Sequence, residues 1–218
     1  MLMRAIPENQ MINKMRHFIL MFVAIAWIFG CSQKTELVET VDEFGNTVKY
    51  SRNKKDYAKE GKYLIINPDG ITVEEAYYVN DSLDGARIVF FDSGDTSIIE
   101  HHKMGKFEGT YKAFYENGQI EIEGNYVNNI MSGPWTRYYE SGQVMEVVNF
   151  ENNEENGSFV EYYKNGNLKA EGAYLNGDNE HGELKIYNEA GKLIRRMDCQ
   201  KGICKTIWEA ESTAEENI

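Results

Sequence analysis

Twelve glycines stand in two registers along the chain. Gly61, Gly85, Gly109, Gly133 and Gly157 are spaced by 24 residues, and Gly182 follows at 25. Nine residues behind each comes a second series: Gly70, Gly94, Gly118, Gly142, Gly166 and Gly191. A fixed period of this length marks a repeat architecture, in which each unit buries its apolar side against its neighbours rather than around one centre. Gly45 looks like the second glycine of a degraded first unit, and Gly202 opens a truncated last one. The array is therefore expected over residues 36–208.

Each unit reads as two strands. In one, "GTYKAFYE" is followed by Asn117-Gly118 and then by "QIEIEGNY". Asn-Gly between alternating runs signals a hairpin, and the spacing predicts a two-residue type I′ turn with positive φ at both central positions. Asp69-Gly70 and Asn165-Gly166 offer the same chemistry. That turn would set Tyr115 opposite Ile120, Ala113 opposite Ile122 and Tyr111 opposite Gly124. One side of the hairpin then carries Tyr111, Ala113, Tyr115, Ile120, Ile122, Gly124 and Tyr126. The other carries Thr110, Lys112, Phe114, Glu116, Gln119, Glu121, Glu123 and Asn125. Tyr111 over Gly124 and Phe159 over Gly172 are expected to be rings lying on bare backbone. Successive hairpins would form ladders: Tyr111, Trp135 and Phe159 on one line, and Phe90, Phe114, Tyr138, Tyr162 and Tyr187 on another. No segment has helical periodicity to cover the apolar side. The expected fold is all-β: an elongated antiparallel meander of about six 24-residue hairpins in one twisted sheet, preceded by an N-terminal signal helix.

The three central units follow the order glycine, aromatic, a paired aromatic, glycine, and a Tyr before the next glycine. In this they resemble the bacterial variant of the MORN repeat. The preceding unit departs from the pattern, with Arg87 where an aromatic belongs and His102 where the next unit has Tyr126. The resemblance implies a binding or scaffold role without catalysis. It also implies a second possibility, because some proteins of this variant are labelled antitoxins of toxin–antitoxin pairs.

The front of the chain has its own signature. Lys14 and Arg16 flank an unbroken apolar run from Phe18 to Phe29, too short for a comfortable membrane span and suited to a signal-peptide core. Ile28-Phe29-Gly30-Cys31 resembles a lipobox, with Phe29 where a small residue is usual. Residues 1–30 are thus read as a signal peptide, 31–35 as a lipid-anchored linker with Cys31 as the lipidated residue, and 209–218 as a disordered acidic tail. Ser32 carries no inner-membrane retention signal of the Asp kind, so the expected site is the cell envelope, with the outer membrane favoured. In an exported chain Cys199 and Cys204 can form a disulfide across a tight hairpin. The formal net charge of −12 disfavours nucleic acid as a partner.

Catalytic and metal-binding constellations do not emerge. His101 and His102 are adjacent and point to opposite faces of a strand. His181, with Asp178 and Glu180, sits in a turn where acidic residues are ordinarily solvated. No G-x-S-x-G elbow is present, and Glu121, Glu123, Glu154 and Glu155 fall at repeat-surface or turn positions. The expectation is a non-enzyme with no cofactor or metal, a protein partner, and membrane attachment through Cys31. Its expected binding face comprises Phe114, Tyr138, Tyr162, Tyr187 and Trp135. Carbohydrate binding on the same aromatics is a further alternative.

Overall fold

The computed structural model describes residues 34–211. The expected signal helix, Cys31 and residues 212–218 of the tail lie outside the described residues. In chain order the strands are β1 (Thr35–Val41), β2 (Thr47–Asn53), β3 (Lys59–Ile66), β4 (Thr72–Val79), β5 (Ser82–Leu83) and β6 (Gly85–Phe90). Then come β7 (Thr96–Lys103), β8 (Lys106–Phe114), β9 (Ile120–Val127), β10 (Ile130–Met131), β11 (Gly133–Tyr138) and β12 (Val144–Glu151). The series ends with β13 (Glu154–Tyr162), β14 (Leu168–Tyr174), β15 (Gly182–Tyr187), β16 (Leu193–Gln200) and β17 (Ile203–Glu209). The seventeen strands form one antiparallel sheet in which each row pairs with the next along the chain. β5 and β6 share a row beside β4, as β10 and β11 do beside β9. Among the described residues there is no helix. The fold is the expected hairpin meander. The Gly45 unit is a complete hairpin, β1 with β2, while β17 is a single strand without a second.

Two kinds of turn alternate, and they are distributed differently from the expectation. At the Asn117-Gly118 turn the amide of Tyr115 donates to the carbonyl of Gln119 (2.9 Å) and that of Gly118 to Tyr115 (2.9 Å). Only Gly118 is left-handed there, at φ 81°. The loop is therefore Glu116-Asn117-Gly118, a three-residue connection closed by a left-handed glycine, rather than a two-residue type I′ turn. Asn117 favours this form because its Oδ1 accepts from the Gln119 amide (2.9 Å). Phe114, not Tyr115, consequently faces Ile120, and a register shift between Ala113 and Phe114 restores Ala113–Ile122 and Tyr111–Gly124. Paired left-handed residues occur at the opposite strand ends: Asn128-Asn129 (φ 52° and 70°), Asn152-Asn153 (56° and 68°) and Met104-Gly105 (48° and 77°).

The other glycine series marks bulges. Gly109 lies within β8 at φ 108°. There His101 of β7 stands opposite Glu108, Gly109 and Thr110 together, because Glu100 pairs with Tyr111 and His102 with Phe107. The bulge leaves a carbonyl without a ladder partner, and His101 Nδ1 donates to Thr110 O at 3.0 Å. Two periods on, Asn149 does the same, with Nδ2 donating to Ser158 O at 2.8 Å. His101 is thus a bulge clip on the strand.

The buried part of the sheet is one central line on one face. Large residues of first strands meet small, polar or aliphatic ones of second strands: Tyr63–Ala76, Arg87–Glu100, Tyr111–Gly124, Trp135–Val148, Phe159–Gly172 and Leu184–Met197. Val148, Phe159 and Ala170 form its buried core, with Phe150, Tyr174 and Leu184 packed against them. The glycines opposite rings have two origins. A side chain at Gly172 would meet Phe159 and Leu184, as its hairpin pairing predicts. A side chain at Gly124 would fall inside the indole of Trp135, not the ring of Tyr111. The cover at Gly124 therefore comes from the next hairpin, because Trp135 is large enough to reach across from β11.

Candidate interaction surface

The two faces of the sheet handle charge differently. On the face carrying Phe114, Tyr138, Tyr162 and Tyr187, carboxylates are neutralised locally. Lys62 pairs with Glu75 (2.9 Å), Lys112 with Glu123 (3.0 Å), Lys185 with Glu171 (3.0 Å) and Arg196 with Glu183 (2.5 Å). The tyrosines belong to the same network. Tyr138 Oη donates to Glu123 Oε1 at 2.6 Å and Tyr187 Oη to Glu171 Oε1 at 2.8 Å. The bond to Glu123, assisted by burial, pushes the Tyr138 hydroxyl up to about 12. The same bonds hold Glu123 and Glu171 below the usual carboxylate range: Tyr138 then Lys112 for the first, Lys185 then Tyr187 for the second. Half-buried Phe114 and Tyr162 continue this line.

Trp135 belongs to the opposite face. It is 4% exposed and packs against Tyr111, Tyr126 and Phe150, with ring centroids 5.7, 5.1 and 6.1 Å away. Phe159 and Tyr174 stack at 4.3 Å and 19° on the same side. The five residues expected to form one binding face are therefore divided between two, with ring-on-ring packing on the Trp135 side.

Carboxylates also stand on the aromatic side, and near Trp135 and Tyr174 three of them, Glu146, Glu155 and Glu180, lack close partners. Glu155 faces Phe150 across β12 and β13, and Glu180 bridges to Tyr174. Glu146 lies beside Arg137 at 3.8 Å, the longest of the protein's ion pairs among the described residues. The sequence pattern assigns Glu155 to a turn surface; in the fold it is half-buried against aromatic rings. Burial first, then Asp178 and Glu146, push its carboxyl above the usual range. Burial also pushes the Tyr174 hydroxyl up to about 12, with Glu155, Glu161, Glu180 and Glu146 adding to it. A recess of about 90 Å³ opens beside Trp135, lined by Met131, Trp135, Arg137, Glu146, Phe150 and Glu155 among others.

Further along the same face an ionic cluster replaces the rings. Arg87 reaches Glu74 (2.6 Å) and Glu100 (2.8 Å), and His102 Nε2 donates to Glu100 (3.0 Å). Both carboxylates hold the guanidinium more firmly protonated than usual, Glu74 foremost. Arg87 and Glu100 occupy the places of Tyr111 and Gly124, and His102 that of Tyr126. The departure from the aromatic pattern is therefore a compensated exchange. Spacing alone cannot reveal it, because Glu74 comes from the preceding unit. Cys199 and Cys204 face each other across β16 and β17 and form a disulfide. His181 contributes its amide to Ala173 O (2.8 Å). Among the described residues no group of three His, Cys, Asp or Glu is placed to hold a metal ion.

The unit that carries all this is one hairpin with its bulged first strand. Three consecutive stretches, residues 107–128, 131–152 and 155–176, match the MORN repeat variant. Each match begins on the aromatic face, at Phe107, Met131 or Glu155, and ends at the first asparagine of a left-handed turn or its equivalent. MORN repeats are generally modules for binding proteins or membranes, which fits a non-enzyme. The recess beside Trp135 falls mainly within the second matched stretch, with Ile122 of the first and Glu155 of the third at its edges. No curated protein matches the chain.

Proposed function

We propose that the chain is an exported, lipid-anchored, non-catalytic interaction module of the cell envelope, tethered through Cys31 and recognising a protein partner. The observation that carries this reading is the asymmetry of the sheet. One face pairs its charges internally, and the other, over the stretch from Trp135 to Tyr174, keeps aromatic rings beside Glu146, Glu155 and Glu180, which have no close ion pair. A continuous half-buried aromatic surface suits a macromolecular partner better than a small substrate, which needs a concave, enclosing site. The Cys199–Cys204 disulfide supports an exported location.

Two measurements test the two halves of the proposal. Fatty-acid labelling and membrane partition are expected for the natural chain and are expected to be lost in Cys31→Ala. If that variant is labelled and partitions unchanged, the anchor is wrong. Crosslinking in native membranes is expected to join a partner to probes placed on the aromatic face, beside Phe150 or Tyr174, and not to probes beside Lys112. Equal capture from both faces would remove the interaction surface.

A further inference from the structure

We infer that the rim of left-handed turns along the N-terminal half of the sheet rests on a lipid bilayer carrying anionic headgroups, so that the sheet stands edge-on with both faces open to other partners. This rests on the reading of Cys31 as a membrane anchor and adds a second contact that the anchor does not supply. Three observations meet at this rim.

The first is the choice of residue in the turns. Among the described residues ten besides glycine have positive φ, and seven of them are Asn or Asp, as the conformation favours. Tyr57 (φ 64°) and Met104 (φ 48°) are bulky apolar exceptions, 62% and 73% exposed. A bulky side chain in this conformation is strained, and here little of it is covered by the protein in return. Both lie on the same rim as exposed Val79, Val127 and Ile130. These five residues occupy four successive turns, roughly 30 Å of rim. The next two turns carry Glu151, Glu154 and Asp178 instead, and apolar exposure returns only at Ile203 in the last.

The second is charge. Lys54, Lys55, Lys103 and Lys106 stand exposed at these turns and have no ion pair among the described residues. The carboxylates beside them are engaged with backbone amides: Glu60 accepts from Asn80 N (3.1 Å), Asp81 from Lys59 N (2.7 Å), Asp84 from Met104 N (3.1 Å) and Glu108 from Asn128 N (2.8 Å). The loops of the opposite rim carry Asp42, Asp69, Asp92, Glu116, Glu140 and Glu189. Lysines flanking short apolar side chains suit a bilayer interface, where the apolar groups enter and the ammonium groups meet phosphate. The third observation is where the chain enters the sheet. β1 begins at Thr35, which pairs with Asn53 beside Lys54 and Lys55. Cys31 precedes Thr35 by four residues, roughly 14 Å at full extension. The opposite rim is a strand length away, roughly 25 Å, and beyond that reach. A lipid on Cys31 therefore holds the bilayer to the rim that exposes Tyr57 and Met104.

The test uses the full chain reconstituted into vesicles of phosphatidylcholine and phosphatidylglycerol with brominated acyl chains, which quench tryptophan on contact. Tryptophan is placed singly at Met104, Val127, Glu116 or Glu154, all exposed positions, and quenching is read as the change from the parent chain. Met104→Trp and Val127→Trp are expected to be quenched at least about twofold more than Glu116→Trp on the opposite rim and Glu154→Trp in the later turns. Adding Lys103→Gln and Lys106→Gln to Val127→Trp is expected to cut its quenching by about half or more. Adding Lys164→Gln and Lys192→Gln, the same charge change on the opposite rim, is expected to leave it in place. Equal quenching at all four sites, none at Met104 and Val127, or equal loss with both lysine pairs overturns the rim contact. The anchor and the rim fail separately. A natural chain labelled by fatty acid whose Met104→Trp variant stays unquenched keeps the anchor and overturns the rim contact. Quenching at Met104 in a chain that takes up no label keeps the rim contact and removes the anchor.

Discussion

Gly124 has no side chain because the Trp135 indole lies where one would be. A methyl group there must displace a ring wedged among Tyr111, Tyr126 and Phe150. Gly124→Ala is therefore expected to destabilise the protein by about 1–3 kcal/mol, read from urea midpoints, and combining it with Trp135→Leu should recover part of that loss. The sequence pattern named the right glycine but the wrong ring. It pairs residues within one hairpin, whereas Trp135 arrives from the neighbouring one, and side-chain reach is invisible to spacing. Glu155 was similarly hidden, since its sequence neighbours Asn152, Asn153 and Glu154 are those of a polar turn. The bulge at Asn156-Gly157-Ser158 lets Glu155 face Phe150. Its raised pKa has a definite consequence for stability. The folded chain holds the Glu155 proton more tightly than the unfolded one, so the associated stability is full below the ordinary carboxylate value. It is lost as pH rises through the raised value. Glu155→Gln is expected to raise stability at about pH 7 and to change it little at about pH 4, which denaturant melts at both values can check.

Between elements, the second aromatic of each pair acts as a clamp. Tyr115 donates its hydroxyl to the carbonyl of Tyr138 (2.8 Å), Tyr139 to that of Tyr162 (2.7 Å) and Tyr163 to that of Tyr187 (2.8 Å). Turn asparagines reinforce this, Asn117 donating to Glu140 O and Asn165 to Glu189 O. The repeated aromatic pair thus puts one ring on the charged face and ties each hairpin to its successor with the other. Tyr139→Phe should cost about 1 kcal/mol and should speed hydrogen exchange at the β11–β14 turns more than elsewhere. The ionic unit makes a sharper prediction. Arg87→Ala strands Glu74 and Glu100 on a half-buried face and is expected to cost about 3–5 kcal/mol. Replacing Glu74, Arg87, Glu100 and His102 together with Ile, Tyr, Gly and Tyr restores the arrangement of Ile98, Tyr111, Gly124 and Tyr126. That quadruple variant should be at least as stable as the parent in thermal melts. The alternating pattern made the hairpins themselves legible, since glycine period and residue alternation are local. The turn types were exchanged because Asn-Gly suits either form, and the choice depends on Asn117 bonding to Gln119.

For the array as a whole, stability should be close to a sum over units and their interfaces, because each row touches only its neighbours. A register argument turns this into a test. Deleting residues 133–156 removes one full period and joins Ser132 to Gly157, a glycine in the place of Gly133. Phe159 then takes the position of Trp135 over Gly124, and it already lies over a glycine at Gly172 in the natural chain. The clamp is preserved as well, since Tyr115 would meet the carbonyl of Tyr162 in place of Tyr138. The shortened chain is expected to fold, with a lower urea m-value in proportion to the surface it no longer buries. Deleting residues 133–155 instead shifts every later residue by one and turns the inward line outward. That chain is expected to lose the cooperative transition and the near-ultraviolet aromatic signal. Cooperative folding of both deletions would mean that the 24-residue period does not set the register of the sheet.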